Sequence, residues 1–547
     1  MRNRRSATLV LTLVMMLTTA SLGICSFSEH ILWTLEGSSG VYPNSNLLLD
    51  QAGNLYGTTE EGGGDGTVFE IGANGDKTVI WSFTPENGAD PDGGLIMDAS
   101  GALYGTTAYG GAFADGTVFK LTPPAAADGN WTESVLWSFG KGDDGKNPVG
   151  SLVADPSGHL FGVTQFGGNY NTAGTVFELS PPSSADGNWS ESVLWNFGNG
   201  TDGEDPFAGL VMDQNGNLYG TTQIGGPSFF GIVFELTPPS NTGGSWNESI
   251  IWDFGDVNDS GHSPYGNFPV GPLLMDQRGN LYGTVEAGGP GIGNPPLVGG
   301  AVFRLSPAAS SGGTWNPSVL WAFGAVGSGA GPTGNLATDA NGNLYGTTQA
   351  VAGTNVTPSG GTVFELSPGP QDNDPWTETT LWVFGNYLDG NIPLGGLTID
   401  KSGNLYGTTN MGGITAPFTQ GSGTVFEVSN NPEPGSATLK IVPKIARIHG
   451  PGTTTVTLRN LKSNSANLSI TAINTETSAF TASPNCLVSL APGESCKVRI
   501  TFKPPEAGNI GDRTTGDLLN VLSNARNGAV LQIPLTGTGI RTGKSGN

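Results

Sequence analysis

The residue types able to do chemistry in this chain sit in its glycine-rich loops. Four stretches, ENGADPDGG, GKGDDGKNP, GNGTDGEDP and GDVNDSGHSP, place Asp143, Asp144, Asp202, Glu204 and Asp205 among glycines. A second set of loops carries Tyr109, Phe113, Phe166, Tyr170, Phe229, Phe230 and Phe418. Aromatic rings stack on the apolar faces of sugars, and carboxylates accept hydrogen bonds from hydroxyls, so acids beside aromatics suit a glycan-binding face. Clustered Asp with backbone carbonyls is also calcium-ligand chemistry. Neighbouring carboxylates, Asp143 with Asp144 or Glu204 with Asp205, are the residue types of glycosidic acid–base catalysis, but adjacent loop residues seldom face each other correctly. The plain alternative is that these are solvated turns of an acidic protein.

Other chemistries lack their residues. His30, His159, His262 and His449 stand in unrelated contexts, with no His-x-x-x-His or Glu-x-x-His pattern for a zinc hydrolase. No Gly-x-Ser-x-Gly elbow joins a strand to a helix. Glycine runs such as GGGDGT are not followed by Gly-Lys-[Ser/Thr], so they read as hairpin turns rather than phosphate loops. No catalytic residue, metal or cofactor is assigned, calcium being the one ion that loops of this composition would hold.

A repeat positions these loops. The phrase Gly-x-Leu-[Tyr/Phe]-Gly occurs seven times, with its aromatic at Tyr56, Tyr104, Phe161, Tyr219, Tyr282, Tyr345 and Tyr406. An Asp precedes each, from Asp50 to Asp400, and a Val-Phe pair follows each, from Phe69 to Phe426. A Trp-x-Phe phrase recurs at Trp81, Trp137, Trp195, Trp252, Trp321 and Trp382, with Trp33-x-Leu35 as a seventh copy. GLIMD, LYGTT, TVFEL and VLWSF each read as a short strand by alternation and by β-branched and aromatic content. Four short strands per unit, joined by Gly, Asn, Asp and Pro turns, predict a β-propeller. A solenoid is the structural alternative, but no capping unit is visible. The phase predicts an all-β chain with a seven-bladed propeller over 31–429, in which the strand around Trp33 completes the last blade. The aromatics would fill the space between blades, and each Asp would cap a tight turn.

Composition agrees. Glycine is 88 of 547 residues and only 12 % are charged, which excludes a coiled coil; no strict Gly-X-Y period exists, which excludes collagen. Residues 27–436 hold 7 Lys/Arg and 41 Asp/Glu, and this acidity argues against nucleic-acid binding. Residues 1–25 read as a signal peptide, with Arg2, Arg4 and Arg5 before an apolar run. No second apolar span follows, so the mature chain is expected to be soluble outside the cytoplasm, secreted or at a bacterial cell surface. Cys486 and Cys496, ten residues apart, are expected to pair in that oxidising compartment. Residues 430–436 form a Pro/Gly linker to a second unit, 437–540, whose alternating strands predict an Ig-like β-sandwich, and 541–547 form a polar tail.

The GNLYGTT…GG…GTVFEL units resemble the GloVer tandem repeat of exported bacterial proteins, which implies location and architecture but no activity. LAPGESCKVRITFKP and IPLTGTG resemble Ig-like modules of the ASH/HYDIN and choice-of-anchor kind, which implies a spacer or adhesion role. The function expected is therefore an exported, non-catalytic binding or scaffold protein with a glycan or a cell-surface protein as partner. A structural envelope component and a polysaccharide-active hydrolase or lyase remain as alternatives.

Overall fold

The computed structural model describes residues 27–429 except 127–128, 171–172, 185–186, 242, 256–265, 289–298, 309–312, 325–328, 352–359, 372–373, 385–388 and 414–420, together with most of the strands and turns between 439 and 538. The signal peptide, the linker, the polar tail and Phe418 lie outside the described residues.

Apart from one 3-10 turn, Gly37–Ser39, the regular structure described is all β. The fourth repeat shows the plan. Val211–Met212, Leu218–Thr222, Ile232–Thr237 and Asn247–Asp253 pair in that order, each antiparallel to the next. Among the described residues, seven such sheets span 28–429, built around the second strands Leu55–Thr59, Leu103–Thr107, Leu160–Phe166, Leu218–Thr222, Leu281–Ala287, Leu344–Thr348 and Leu405–Thr409. In the last sheet the fourth place belongs to the N-terminal strand Ser28–Thr34, which runs antiparallel to Thr424–Ser429 from Ser28↔Ser429 to Thr34↔Thr424.

The turn between first and second strands explains the repeated Asp. In Asp213, Oδ1 accepts the N–H of Asn215 and of Asn217 at 2.8 and 2.9 Å, and Oδ2 accepts the Asn217 amide at 2.9 Å. Asp50, Asp98, Asp155, Asp276, Asp339 and Asp400 repeat the two backbone bonds. These carboxylates are consumed by their turns.

Sheet-to-sheet packing rests on a Phe–Gly interlock. The third-strand rings Phe69, Phe119, Phe177, Phe234, Phe303, Phe364 and Phe426 are buried. Each lies on the glycine of its own second strand: a Cβ on Gly220 would sit 2.6 Å from Phe234 Cζ and 2.8 Å from Leu210 Cδ2. The fully buried Phe of Trp-x-Phe then stacks onto the ring of the following sheet. The pairs are Phe83–Phe119, Phe139–Phe177, Phe197–Phe234, Phe254–Phe303, Phe323–Phe364 and Phe384–Phe426, with centroids 4.9–5.2 Å apart. At the remaining junction Leu35 replaces Phe, and Trp33 meets Phe69 edge-on at 5.7 Å. A β-bulge falls just before the Trp in every fourth strand, at Leu194 or Ile251 for example, and re-aims the Trp and Phe that follow. The Trp rings at 81, 137, 195, 252, 321 and 382 are only half-buried, against the full burial of the Phe two residues on.

Hydrogen bonds follow the same succession. Thr106 Oγ1 donates to Gly150 O at 3.2 Å, Thr347 to Gly395 O at 2.9 Å, and Thr408, in the last sheet, to Ser45 O in the first at 3.2 Å. The contacts of the seventh sheet thus return to the first.

The C-terminal part forms two sheets. One holds Leu439–Val442, Gly452–Asn460, Ser495–Phe502 and Phe480–Ala482; the other holds Ala446–His449, Val530–Thr538, Thr514–Ser523, Leu468–Thr475 and Ser489–Leu490. Val456, Leu458, Val498, Ile500 and Phe502 build its core around the Cys486–Cys496 disulfide.

The interlock makes two substitutions costly. Phe234→Ala opens a cavity at a fully buried site and is expected to cost about 3–5 kcal/mol. Gly220→Ala overpacks the same site and is expected to cost about 1–3 kcal/mol. Denaturant unfolding of each variant checks both; a Gly220→Ala chain as stable as the parent would refute the interlock. Removing residues 28–35 strips the last sheet of its fourth strand and should lower the thermal midpoint without changing the fold of residues 439–538.

Candidate functional site

The loop that enters each first strand carries a feature absent from the simple turn pattern. Tyr42, Asp90, Asn147, Asp205, Phe268, Gly331 and Ile392 all have φ between 53 and 64°, and each directly precedes a proline. A left-handed non-glycine residue costs roughly 1–3 kcal/mol, and a following proline disfavours it further. The compensation is an inter-repeat hydrogen bond. The N–H of Asp90 donates to Asp65 O at 3.0 Å, that of Asp205 to Ala173 O at 3.1 Å, and that of Tyr42 to Ser422 O at 2.8 Å. The same bond recurs at Asn147, Phe268, Gly331 and Ile392. These loops are therefore held rigidly at one end of the sheets.

Second strands end near this same place, and the residue after each LYGTT stretch or its equivalent is polar in all repeats but one: Glu60, Ala108, Gln165, Gln223, Glu286, Gln349 and Asn410. Several of these side chains bind one another or the loops. Asn44 Nδ2 donates to Glu60 Oε2 at 2.8 Å, Gln349 Nε2 to Glu286 Oε1 at 2.8 Å, and Asn410 Nδ2 to Asn44 Oδ1 at 2.5 Å. Burial, and then the charges of Asp92 and Asp90, push the Glu60 carboxyl above its ordinary range. A cavity of about 300 Å³ opens among these groups, lined by residues of all seven repeats and, among the described residues, by no Lys, Arg or His. Neither the left-handed residues nor this polar set was apparent from the strand motifs, although the seven Xaa-Pro pairs at a constant distance before LYG carry the signal.

The acidic residues expected to bind ligand divide into two groups. Asp144 is buried and accepts the Gly140 N–H at 3.1 Å and the Trp137 indole N–H at 3.3 Å. Asp202 is buried likewise and accepts the Gly198 N–H at 3.1 Å. These two carboxylates cap their own turns. Asp143 and Glu204 are exposed, and Asp205 is half-buried in the left-handed position. Neither adjacent pair presents two carboxylates to one point in solvent, because one member of each is turned into the loop. Among the described residues no three His, Cys, Asp or Glu side chains come together as a metal-ligand group.

The aromatics behave differently. Tyr109, Phe113, Phe166, Tyr170 and Phe229 are 51, 46, 37, 46 and 76 % exposed, and Ile224 joins them. Phe166 ends the second strand of the third repeat, and the others lie in the loops after the second strands of the second, third and fourth repeats. Phe230 instead packs edge-on against Phe268 at 6.2 Å. Paired glycines let these loops lie against the loops entering the first strands: a Cβ on Gly110 would sit within 2.8 Å of the Gly88 and Ala89 backbone.

Between the sheets lies another set of acids. Burial pushes Glu133, Glu191 and Glu248 up to about 7, with Asp144 adding to the rise at Glu191 and Asp202 at Glu248. Each has an Oε1 buried without a hydrogen-bond partner. In Asp98, Asp155 and Asp276 burial also acts upward, but the turn hydrogen bonds outweigh it and hold these groups below the ordinary carboxylate range.

A family model described as Gloeobacter/Verrucomicrobia repeat matches residues 25–133, 125–289 and 262–442, and the chain belongs to this family. A second, HYDIN/CFA65/VesB-like Ig-like domain, matches residues 448–521. No curated protein matches the chain. Among solved structures, the chain is similar to a protein from Thermus thermophilus described as an oxidoreductase (glucose dehydrogenase), at 14 % identity and TM-score 0.36, covering 74 % of this chain and 100 % of that one. It is also similar to an ulvan lyase of polysaccharide lyase family 25, at 10 % identity and TM-score 0.42, covering 72 % and 94 %. A Coprinopsis cinerea α-L-arabinofuranosidase catalytic domain shares 12 % identity at TM-score 0.27, covering 54 % and 96 %. No helix among the described residues is long and apolar enough to cross a membrane.

These half-buried glutamates are expected to shape the pH dependence of stability. Their folded values near 7 lie above the ordinary 4.5, so their contribution is complete below pH 4.5 and is lost as pH rises to about 7. The lowered aspartates act in the opposite sense and cost stability only below their ordinary 3.8. Thermal unfolding should therefore peak in mild acid, and Glu191→Gln with Glu248→Gln should flatten the fall between about pH 4.5 and 8. An unchanged slope in the double variant would show that other groups set it.

Proposed function

We propose that this member of the Gloeobacter/Verrucomicrobia repeat family is an exported, non-catalytic binding protein whose loop face takes a glycan. In this reading residues 1–25 direct export and 31–429 form a seven-bladed β-propeller closed by the strand around Trp33. A linker, 430–436, joins it to an Ig-like spacer or adhesion module over 437–540. Support for the propeller comes from the succession of sheet contacts that returns to its start at Thr408–Ser45 and Tyr42–Ser422. The disulfide in the C-terminal module fits an extracytoplasmic location.

One observation carries the binding reading: the exposed rings Tyr109, Phe113, Phe166, Tyr170 and Phe229 lie at or just after the second strands of three consecutive repeats. Soluble proteins seldom leave so many large rings in solvent without use. Exposed Asp143 and Glu204, in the loops beside them, supply hydroxyl acceptors. The acidic surface selects against anionic polymers such as nucleic acid.

The purified mature chain should bind selectively on a glycan array. Tyr109→Ala, Phe166→Ala and Phe229→Ala together should abolish that binding while leaving the thermal midpoint unchanged, because all three rings are exposed. Loss of wild-type binding on chelation would place calcium in the acidic loops. Bond cleavage in the bound glycan would replace this reading with a hydrolase or lyase. Absence of binding under every condition would favour a structural envelope role through protein contacts.

A further inference from the structure

At core positions the seven units carry the same residue, as at the Gly and Phe of the interlock. At the position just after the left-handed residue and its proline the backbone is equally regular, but the side chain differs in almost every unit. It is Asn44, Asp92, Val149, Phe207, Val270, Thr333 and Leu394. All but Val149 line the cavity. A framework held constant with contents that vary is the pattern of a recognition surface on a scaffold.

Those contents are divided. The first two repeats contribute Asn44, Asn46 and Asp92 to the lining. The fourth and fifth, three repeats away, contribute Phe207, Val270 and Pro272. Glu286 and Gln349 belong to the lining and are joined by one hydrogen bond of 2.8 Å that leaves the other carboxylate oxygen and the amide oxygen as acceptors. Asn335 Oδ1, also in the lining, is buried without a hydrogen-bond partner. An apolar wall with one aromatic, faced by carboxylates and amides, matches a pyranose: its C–H face seeks the ring, and its hydroxyls seek planar acceptors and amide donors. Among the described residues no basic side chain lines the cavity, so a uronate, sulfate or phosphate group would find no cation there and would meet the carboxylates of Asp92 and Glu286.

We propose that this cavity holds one neutral pyranose unit, the end of a glycan whose remainder crosses the exposed aromatics. The inference rests on the glycan-binding reading above and adds the site of the chain end. Continuity along the chain joins the two surfaces. Gln223 lines the cavity and is followed by the exposed Ile224, while Tyr109 and Phe166 follow Ala108 and Gln165, the equivalent positions of the second and third repeats.

The test uses the full mature chain and calorimetric titration with the methyl pyranosides of glucose, galactose, mannose and xylose, and with glucuronate. At least one neutral glycoside should bind with one site per chain, and glucuronate should not. Asp92→Asn and Phe207→Ala should each weaken that binding about tenfold or more, with the thermal midpoint read in parallel to confirm folding. Leu394→Trp, which fills the cavity from a different wall, should abolish it. The exposed-ring triple variant should bind the monosaccharide as the parent does while losing array binding. Monosaccharide binding that survives Leu394→Trp would overturn the proposal. So would calcium or an amine binding through Asp92 where no neutral sugar binds. Array binding without any monosaccharide binding would overturn the cavity inference alone. Absence of both would overturn the binding reading with it.

Discussion

Seven buried rings resting on seven glycines hold the repeat region together. Each third-strand Phe fits only because the second strand offers no Cβ against its ring tip, as at Gly220 beside Phe234 Cζ. The ring then presents an edge or face to the Phe of the preceding sheet. Aromatic pairs at about 5 Å gain from both burial and quadrupole geometry. A four-stranded sheet this narrow has no core of its own, so its stability is acquired from its two neighbours. The turn aspartates, the Thr–carbonyl bonds and the left-handed Xaa-Pro residues all serve to keep that stacking in register.

The junction between the last sheet and the first is chemically distinct. Leu35 stands where six other units have Phe, and the indole of Trp33 covers Phe69 instead. Here the two ends of the repeat region meet, and the backbone bond from Tyr42 to Ser422 reproduces the one made elsewhere between consecutive units. Within the last sheet, hydrogen bonding between Ser28–Thr34 and Thr424–Ser429 replaces the covalent link that joins the third and fourth strands of the other sheets. The N-terminal strand is consequently the element whose loss would expose an unpaired edge.

Burial of Glu133, Glu191 and Glu248 between sheets shows the opposite economy. A carboxyl without a hydrogen-bond partner at one oxygen is tolerated because it can stay protonated near neutrality. The exposed loop carboxylates, Asp143 and Glu204 among them, are solvated instead. Constant backbone and variable lining thus coexist: strain and hydrogen bonds fix the loops, and the side chains they carry are free to differ.

Much of this was written locally. The strand identities followed from alternation and from β-branched and aromatic content, because those signals act over a few residues. The turn role of Asp50 to Asp400 followed from Asx chemistry, which spans only four residues. Placement of the N-terminal strand followed from the phase of the repeat, and exposure of Tyr109, Phe166 and Phe229 from their position in glycine-rich loops. Tertiary structure alone decided which carboxylates were spent. Asp143 and Asp144 are indistinguishable neighbours by type, yet one faces solvent and the other is bound by Trp137 and Gly140. It also decided that Asn44, Asp92, Phe207 and Glu286, separated by as many as 242 residues, share one cavity. Residues brought together by seven sheets in succession leave no short-range signal, because their proximity is a property of how the sheets stack and of nothing within any one of them.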